Sequence, residues 1–401
     1  MTPGFQMPDG RGSLFDVLDR AAGRGLDVRV IFWRPNPEGA AYGPTFSGSE
    51  ADREMLRGRG SRLRIRWDRA HAAFCQHQKS WLIDAGQSGE TAFVGGINLN
   101  ARAVVTPGHT GNDHVHDLYV EVAGPSASDV HHSFVQRWNE ASDRAEQYGG
   151  AGNDGTLTFP ACVSASRGTS VVQIQRTVAA GLYSDGSPSP AGYRYNIAEG
   201  ERSIFRQYLL AIEAARSSIY IENQALPIPP ITTGLEQALK RGLEVVMLLP
   251  AVPDPLVAAA RREPENAPRF AQFASLGNYE RFALAGIAGR NAEGGRSDVY
   301  VHSKLMIVDD AWATMGSCNL HAASLFDNTE MNASFWDALV ARSLRCELLG
   351  EHLGLDTKHL DDRAALAAFR EIAQENRLKR EAGDFAWKGL AFSLDPATYA
   401  E

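Results

Sequence analysis

Two rhythms of apolar and polar residues alternate along this chain. Over residues 13–23, Leu14, Val17, Leu18 and Ala21 share one helical face behind a capping Ser13, and Gly25 ends the run. Residues 26–33, rich in Val, Ile and aromatics, read as a strand. The basic section 53–69 shows neither period. Strands are expected at the histidine-bearing segment after residue 76, at 91–94 and at 117–122, with a helix over 128–141. The second half repeats this order. A helix over 203–215 leads into a strand over 218–224. A helix over 234–240, a strand over 243–249, an apolar strand from Tyr300 and a helix over 338–353 follow. Residues 149–155 and 184–192 are loop-like, and 171–176 is a strand between them that belongs with the second half.

The repeat extends to individual residues. Arg24-Gly25-Leu26-Asp27-Val28 recurs as Arg241-Gly242-Leu243-Glu244-Val245. Two such copies predict an α/β fold of two similar lobes, each a mixed sheet flanked by helices. A pseudo-two-fold axis relates them, with the active site between. The expected division is a first lobe over 1–150, a linker and entry strand over 151–200, a second lobe over 201–355 and a C-terminal helical extension over 356–401. One piece has no counterpart. A first-half strand matching 218–224 would have to precede Phe5, which leads to the expectation that natural residues are missing before Met1.

Composition narrows the class only a little. The 401 residues are 44% hydrophobic and 22% charged, with a formal charge of −8 that argues against general polyanion binding. No run approaches the roughly 18 to 20 apolar residues of a membrane span, and the first residues carry no secretory pattern. Cys75, Cys162, Cys318 and Cys346 are scattered, as suits a reducing compartment. The expected location is cytoplasmic, peripheral to a membrane.

The chemistry sits in a polar triplet that occurs twice. His302 and Lys304 lie in an apolar run, with Asp309 at its end and Gly316-Ser317-Cys318-Asn319 beyond. His77, Lys79, Asp84 and Gly95-Gly96-Ile97-Asn98 form the looser copy. On a strand, residues two apart share a face, so each His and Lys points the same way, whereas Asp84 and Asp309 have the opposite parity and suit a strand-end turn. Converging lobes would gather two His, two Lys, Asn98, Asn319 and Ser317, a set suited to a phosphodiester. Lysines and amides hold the oxygens, one neutral histidine attacks phosphorus, and the other protonates the leaving alcohol. A carboxylate behind each histidine would fix its tautomer, and the candidates are Asp117 in the first lobe and Glu330 in the second.

The duplicated H-x-K-x4-D pattern resembles the phospholipase D superfamily, in its two-motif branch. Ile219-Tyr220-Ile221-Glu222-Asn223-Gln224, Gly124-Pro125, Gln136-Arg137-Trp138-Asn139 and Glu351-His352-Leu353-Gly354 extend the resemblance over about residues 10 to 355. The resemblance implies a phosphohistidine intermediate, no cofactor or metal, His77 as nucleophile, His302 as acid, and Asp117 and Glu330 as histidine-orienting acids. It implies catalytic roles for His77, Lys79, Asp84, His302, Lys304, Asp309, Asp117 and Glu330, and substrate binding by Asn98, Ser317 and Asn319. The expected reaction is hydrolysis of glycerophospholipid at a membrane surface, or transfer of its phosphatidyl group to an alcohol. Nucleic-acid phosphodiester cleavage and cardiolipin-synthase-like transfer are the alternatives. Both motifs in one chain predict a monomer. Gly96 departs from Ser317, leaving the first-lobe phosphate site one hydroxyl short. His114 and His116 read as a polar loop rather than a metal site, and His131 and His132 as exposed helical residues. Residues 361–379 read as an amphipathic helix packed on the lobe.

Overall fold

The computed structural model describes residues 4–36, 46–142, 155–190 and 192–401. The first half contributes β1 (Arg29–Trp33), β2 (Arg64–Asp68), β3 (Ser80–Ile83), β4 (Thr91–Gly95), β5 (Val115–His116) and β6 (Tyr119–Ala123). The second half contributes β7 (Val171–Val178), β8 (Glu201–Arg202), β9 (Ser218–Glu222), β10 (Glu244–Leu248), β11 (Phe282–Arg290) and β12 (Arg296–Val301). It continues with β13 (Leu305–Val308), β14 (Trp312–Gly316), β15 (Glu330–Trp336) and β16 (Ala391–Leu394). The long second-lobe sheet runs β5-β12-β11-β10-β9-β13-β14-β15-β7-β8, with β16 added against β11.

Its centre is β9, parallel to β10 and antiparallel to β13. Alternation along β9 feeds both faces. Ile219 and Ile221 join a core with Val245, Met247 and Leu284, and Tyr220 joins Val246, Leu305 and Ile307 on the other face. Each buried aliphatic side chain of this kind contributes about 1.5–3 kcal/mol. Helices Ser203–Ala214 and Pro229–Lys240 cover the first face, and Ala338–Leu353 and Asp362–Glu381 the second. The last of these buries Leu366, Phe369 and Ala373 against the sheet, so its apolar face is already occupied.

The first lobe repeats the order in two separate pieces. β1 and β2 form a parallel pair, and β3, β4 and β6 form an antiparallel sheet. Among the described residues no strand joins β1 to β3 as β9 joins β10 to β13. The matched turns before β1 and β10 are alike: Gly25 and Gly242 both adopt φ +87, a left-handed conformation that glycine enters without steric cost. The basic section holds regular structure after all, the helix Glu50–Gly58 and β2. Its period was masked because Arg66, between buried Ile65 and Trp67, is itself buried, lying 4.3 Å from the Trp138 ring centroid. His132 is likewise buried rather than exposed, its Nε2 2.8 Å from the carbonyl of Ser187.

The lobes pack sheet against sheet. Ala92, Val94 and Val122 of the first lobe share a core with Met331 and Ala333 of β15. Two short parallel pairings also cross the interface, and they are equivalent. Gln76, before His77, bridges Thr329, before Glu330. Val301, before His302, pairs with His116, before Asp117. That shared register is the imprint of the pseudo-two-fold axis.

Asp309 serves the turn its parity suggested. Its carboxylate accepts from the backbone N–H of Arg216 (2.9 Å), Ser217 (2.8 Å) and Ser218 (2.9 Å), fastening the entrance of β9. Asp84 occupies the equivalent left-handed turn (φ +54 against +55) but stands exposed, since the first lobe has no such strand entrance among the described residues. Among the described residues neither aspartate bonds to a histidine, so any part they take in catalysis is through the turns they hold. Asp309→Ala orphans three donors and is expected to lower stability by about 2 kcal/mol, read as a shifted urea midpoint, with unchanged KM.

Candidate active site

Each His-x-Lys segment lies at a strand junction rather than inside a strand. His302-Ser303-Lys304 links β12 to β13, and residues 77–79 lead into β3. The chain changes partners there, so the backbone groups are free to meet the other lobe. His302 N donates to the His116 carbonyl at 2.8 Å, and His77 N donates to the Thr329 carbonyl at 2.9 Å. Both lysines curl back onto their own segment: Lys79 Nζ donates to the His77 carbonyl at 2.7 Å, and Lys304 Nζ to the His302 carbonyl and to Gln224 Oε1 at 3.1 Å.

The carboxylates are exchanged between lobes. His77 Nδ1 lies 2.8 Å from Glu330 Oε2, and His302 Nδ1 lies 2.5 Å from Asp117 Oδ2. Sequence reading found both acids but assigned each to its own lobe. The interface register corrects this, because it sets each acid beside the opposite histidine. With a carboxylate on Nδ1, each ring carries its proton there and leaves Nε2 for chemistry. Asn98 Nδ2 lies 3.5 Å from His302 Nε2, and the buried Asn319 Oδ1 has no partner among the described residues.

The Ser317 hydroxyl is already engaged within the protein. Its hydroxyl donates to Glu330 Oε2 at 2.6 Å and accepts from Met331 N at 3.1 Å. Gly96 takes its place in the first lobe because a β-carbon there would collide with the Asp117 carboxylate. The difference therefore bears on how each acid is held.

A further buried network stands behind Asp117, and sequence reading missed it. Glu222, fully buried, accepts from Tyr220 Oη (2.7 Å), Ser303 Oγ (2.6 Å) and His352 Nε2 (3.2 Å), and pairs with His116 Nε2 (3.0 Å). His109 Nε2 meets His116 Nδ1 at 3.1 Å. Burial opposes charge on His116, but Glu222 raises its pKa above the ordinary value, while burial pushes His109 down to about 4. Both His116 ring nitrogens are thus engaged, Nε2 by the Glu222 carboxylate and Nδ1 by His109 Nε2. The trio His116, Glu222 and His352, and the trio His109, His116 and Glu351, have the donor types of a metal site. Direct contacts at hydrogen-bond distance already join His116 to His109, and Glu222 to His116 and His352, so the arrangement reads as a polar network behind His116 and Asp117, with His109 Nδ1 and His352 Nδ1 left without a partner among the described residues. The only sequence signal was the Glu222 and His352 resemblance, which named the residues without their use.

Burial dominates the electrostatics. It lowers the His77 and Lys79 pKa values and pushes His302 down to about 4 and Lys304 to about 7, the neighbouring lysine adding to the His302 effect. Burial works to raise Glu330, yet His77 and Lys79 hold it below its ordinary value. A bound phosphate reverses the sign of the field, raising Lys304 and His302. Binding of sulfate, a tetrahedral anion that does not titrate near neutrality, is therefore expected to take up protons at pH 7, and its affinity to weaken as pH rises through 7. Calorimetry in two buffers of different ionisation enthalpy checks this; proton release on binding would contradict it.

Residues 208–350 match the family model described as cardiolipin synthase, PLD-like domain, and residues 110–227 the model described as phospholipase D. The chain is 24% identical over 348 residues to the probable cardiolipin synthase YwiE of Bacillus subtilis, across 84% of this chain and 57% of that protein. It is 24% identical over 278 residues to cardiolipin synthase 1 of Staphylococcus epidermidis, across 67% and 45%. Against phospholipase D1 of Schizosaccharomyces pombe the identity is 28% over 311 residues, across 62% and 22%. The chain spans about half the length of the curated relatives that lead these matches. Among solved structures, the phospholipase D family member Nuc from Salmonella typhimurium aligns at 21% identity with a TM-score of 0.29, over 44% of this chain and 90% of that one. No helix among the described residues is long and apolar enough to cross a membrane.

Proposed function

The chain belongs to the phospholipase D superfamily, and from that premise we propose that it transfers the phosphatidyl group of a glycerophospholipid to an alcohol. Hydrolysis, the main expectation from sequence, becomes the side reaction. Relatives named cardiolipin synthases, and the cardiolipin synthase model over the second motif, favour transfer. The observation that carries the reading is the crossed pairing of two His–carboxylate couples with a buried Lys304 and a half-buried Lys79 beside them.

In the proposed sequence, His77 Nε2 attacks phosphorus while its Nδ1–H stays on Glu330. The P–O bond to the first alcohol breaks as His302 Nε2 gives that oxygen a proton, and a phosphohistidine remains on His77. An acceptor hydroxyl then loses its proton to His302, its oxygen attacks phosphorus, and the P–N bond breaks, restoring both rings. Lys79, Lys304 and the Asn98 and Asn319 amides stabilise the charge on the non-bridging oxygens. His302, neutral in the empty pocket, gains its proton as the substrate anion raises its pKa.

Incubation with phosphatidylglycerol vesicles, with EDTA and with or without ethanol, tests the reading. Cardiolipin, and phosphatidylethanol when ethanol is present, are the expected products. Phosphatidic acid alone would assign hydrolysis, and cleavage of single-stranded DNA without lipid turnover would overturn the lipid reading.

A further inference from the structure

Arg269 on the helix Ala267–Ser275 is a guanidinium without a counter-charge among the described residues. Its one direct bond among the described residues runs from Nη2 to the Leu226 carbonyl at 2.8 Å, and its buried Nε has no partner. Burial alone lowers its pKa from the ordinary value, with no carboxylate acting to raise it. A half-buried, uncompensated cation is costly, and a binding site for an anion is the usual reason to keep one.

Its place in the fold is set by short tethers. Leu226 follows Gln224, whose Oε1 holds the Lys304 ammonium. The same loop is laced to the segment after Asn319: Ile228 N donates to the Leu320 carbonyl at 3.0 Å, and Leu320 N to Asn223 Oδ1 at 3.2 Å. The next residue, His321, caps the helix Ala322–Phe326 by accepting Ser324 N at its Nδ1, 3.2 Å away. An acceptor at Nδ1 puts the ring proton on Nε2, which has no partner among the described residues. His321 feels the charges of Glu330, His77, Arg269 and Lys304, and burial pushes its pKa down to about 4. It is thus a neutral donor within electrostatic reach of both Arg269 and the catalytic groups His77 and Lys304. In the first lobe Asn100 fills the same position and caps in the same way, through its side chain and Ala103 N at 3.2 Å. The histidine is therefore more than capping requires.

We propose that Arg269 and His321 form a second anion subsite beside the reacting phosphate, one that holds the phosphate of an acceptor alcohol of the glycerol phosphate type. This rests on the transfer reading above and adds its acceptor class. An acceptor whose attacking hydroxyl sits a few bonds from its own phosphate would be anchored by Arg269 through charge and by His321 Nε2–H through a hydrogen bond, with the hydroxyl at the phosphohistidine.

Two measurements on the intact chain test it. With phosphatidylcholine as donor, the ratio of kcat/KM for glycerol 3-phosphate over glycerol should exceed about tenfold in the wild type. Arg269→Gln, which keeps an amide for the Leu226 carbonyl, should collapse that ratio about tenfold or more through KM. His321→Asn, which retains the cap, should reduce it in part. A wild-type ratio near one, or a ratio kept in Arg269→Gln, overturns the subsite. Calorimetry with inorganic phosphate tests the subsite independently of lipid chemistry. Two equivalents per chain should fall to one in Arg269→Gln, and one equivalent in the wild type overturns the proposal. Absence of every phosphatidyl product, with two phosphate sites present, would count against the transfer reading and leave the subsite standing.

Discussion

His77→Asn is expected to abolish turnover on every substrate, by about a millionfold, whereas His302→Asn should lose about 10²–10⁴-fold and recover most of that on an activated leaving group. The reason is the division of labour between two otherwise similar rings. A nucleophile forms the bond to phosphorus whatever leaves, so removing it cannot be offset by a better leaving group. An acid matters in proportion to the basicity of the departing oxygen, and a p-nitrophenyl ester needs little protonation. Asparagine suits both positions because its amide can donate to Glu330 or Asp117 much as Nδ1 does, keeping the interface contacts at 2.8 and 2.5 Å. Steady-state kcat on phosphatidylglycerol and on a p-nitrophenyl phosphodiester decides the matter. Equal losses on both substrates for both variants would refute separate roles, and the opposite pattern would exchange them.

Glu330→Gln and Asp117→Asn are expected to cost about 10²–10⁴-fold each, with phenotypes that follow the opposite lobe's histidine. An amide in place of the carboxylate still accepts a hydrogen bond but no longer favours the Nδ1–H tautomer or stabilises positive charge on the ring. Because Glu330 backs His77, its variant should stay impaired on the activated ester. Because Asp117 backs His302, its variant should be rescued there. Pairing within lobes would give the reverse assignment. Ser317→Ala offers a graded companion: it removes the hydroxyl on Glu330 Oε2, and its deficit should resemble a mild form of Glu330→Gln.

Much of this site was legible because its signals are local. Helix and strand periods extend over a few residues, so the helix Ala338–Leu353 and strands β9, β10 and β4 stand where the apolar pattern placed them. The backbone bonds of Asp309 place it at a strand-end turn as expected, although His302-Ser303-Lys304 is a junction and not the strand whose period suggested this. Where a pattern depended on what lay beyond the strand, reading failed. The section 53–69 read as irregular because buried Arg66 interrupts the apolar pattern, and its partner, Trp138, is distant in sequence.

The sequence by itself determined the duplicated His-x-Lys chemistry, the α/β repeat that carries it, and both carboxylates, since residue type and spacing are enough to specify these. Tertiary structure alone decided which acid serves which histidine, that Ser317 supports Glu330, and that Glu222, His116 and His352 form one network. These depend on the register of Gln76 against Thr329 and of Val301 against His116. A contact between lobes leaves no periodic trace in either strand, because its energy depends on two surfaces meeting rather than on the order of residues within one.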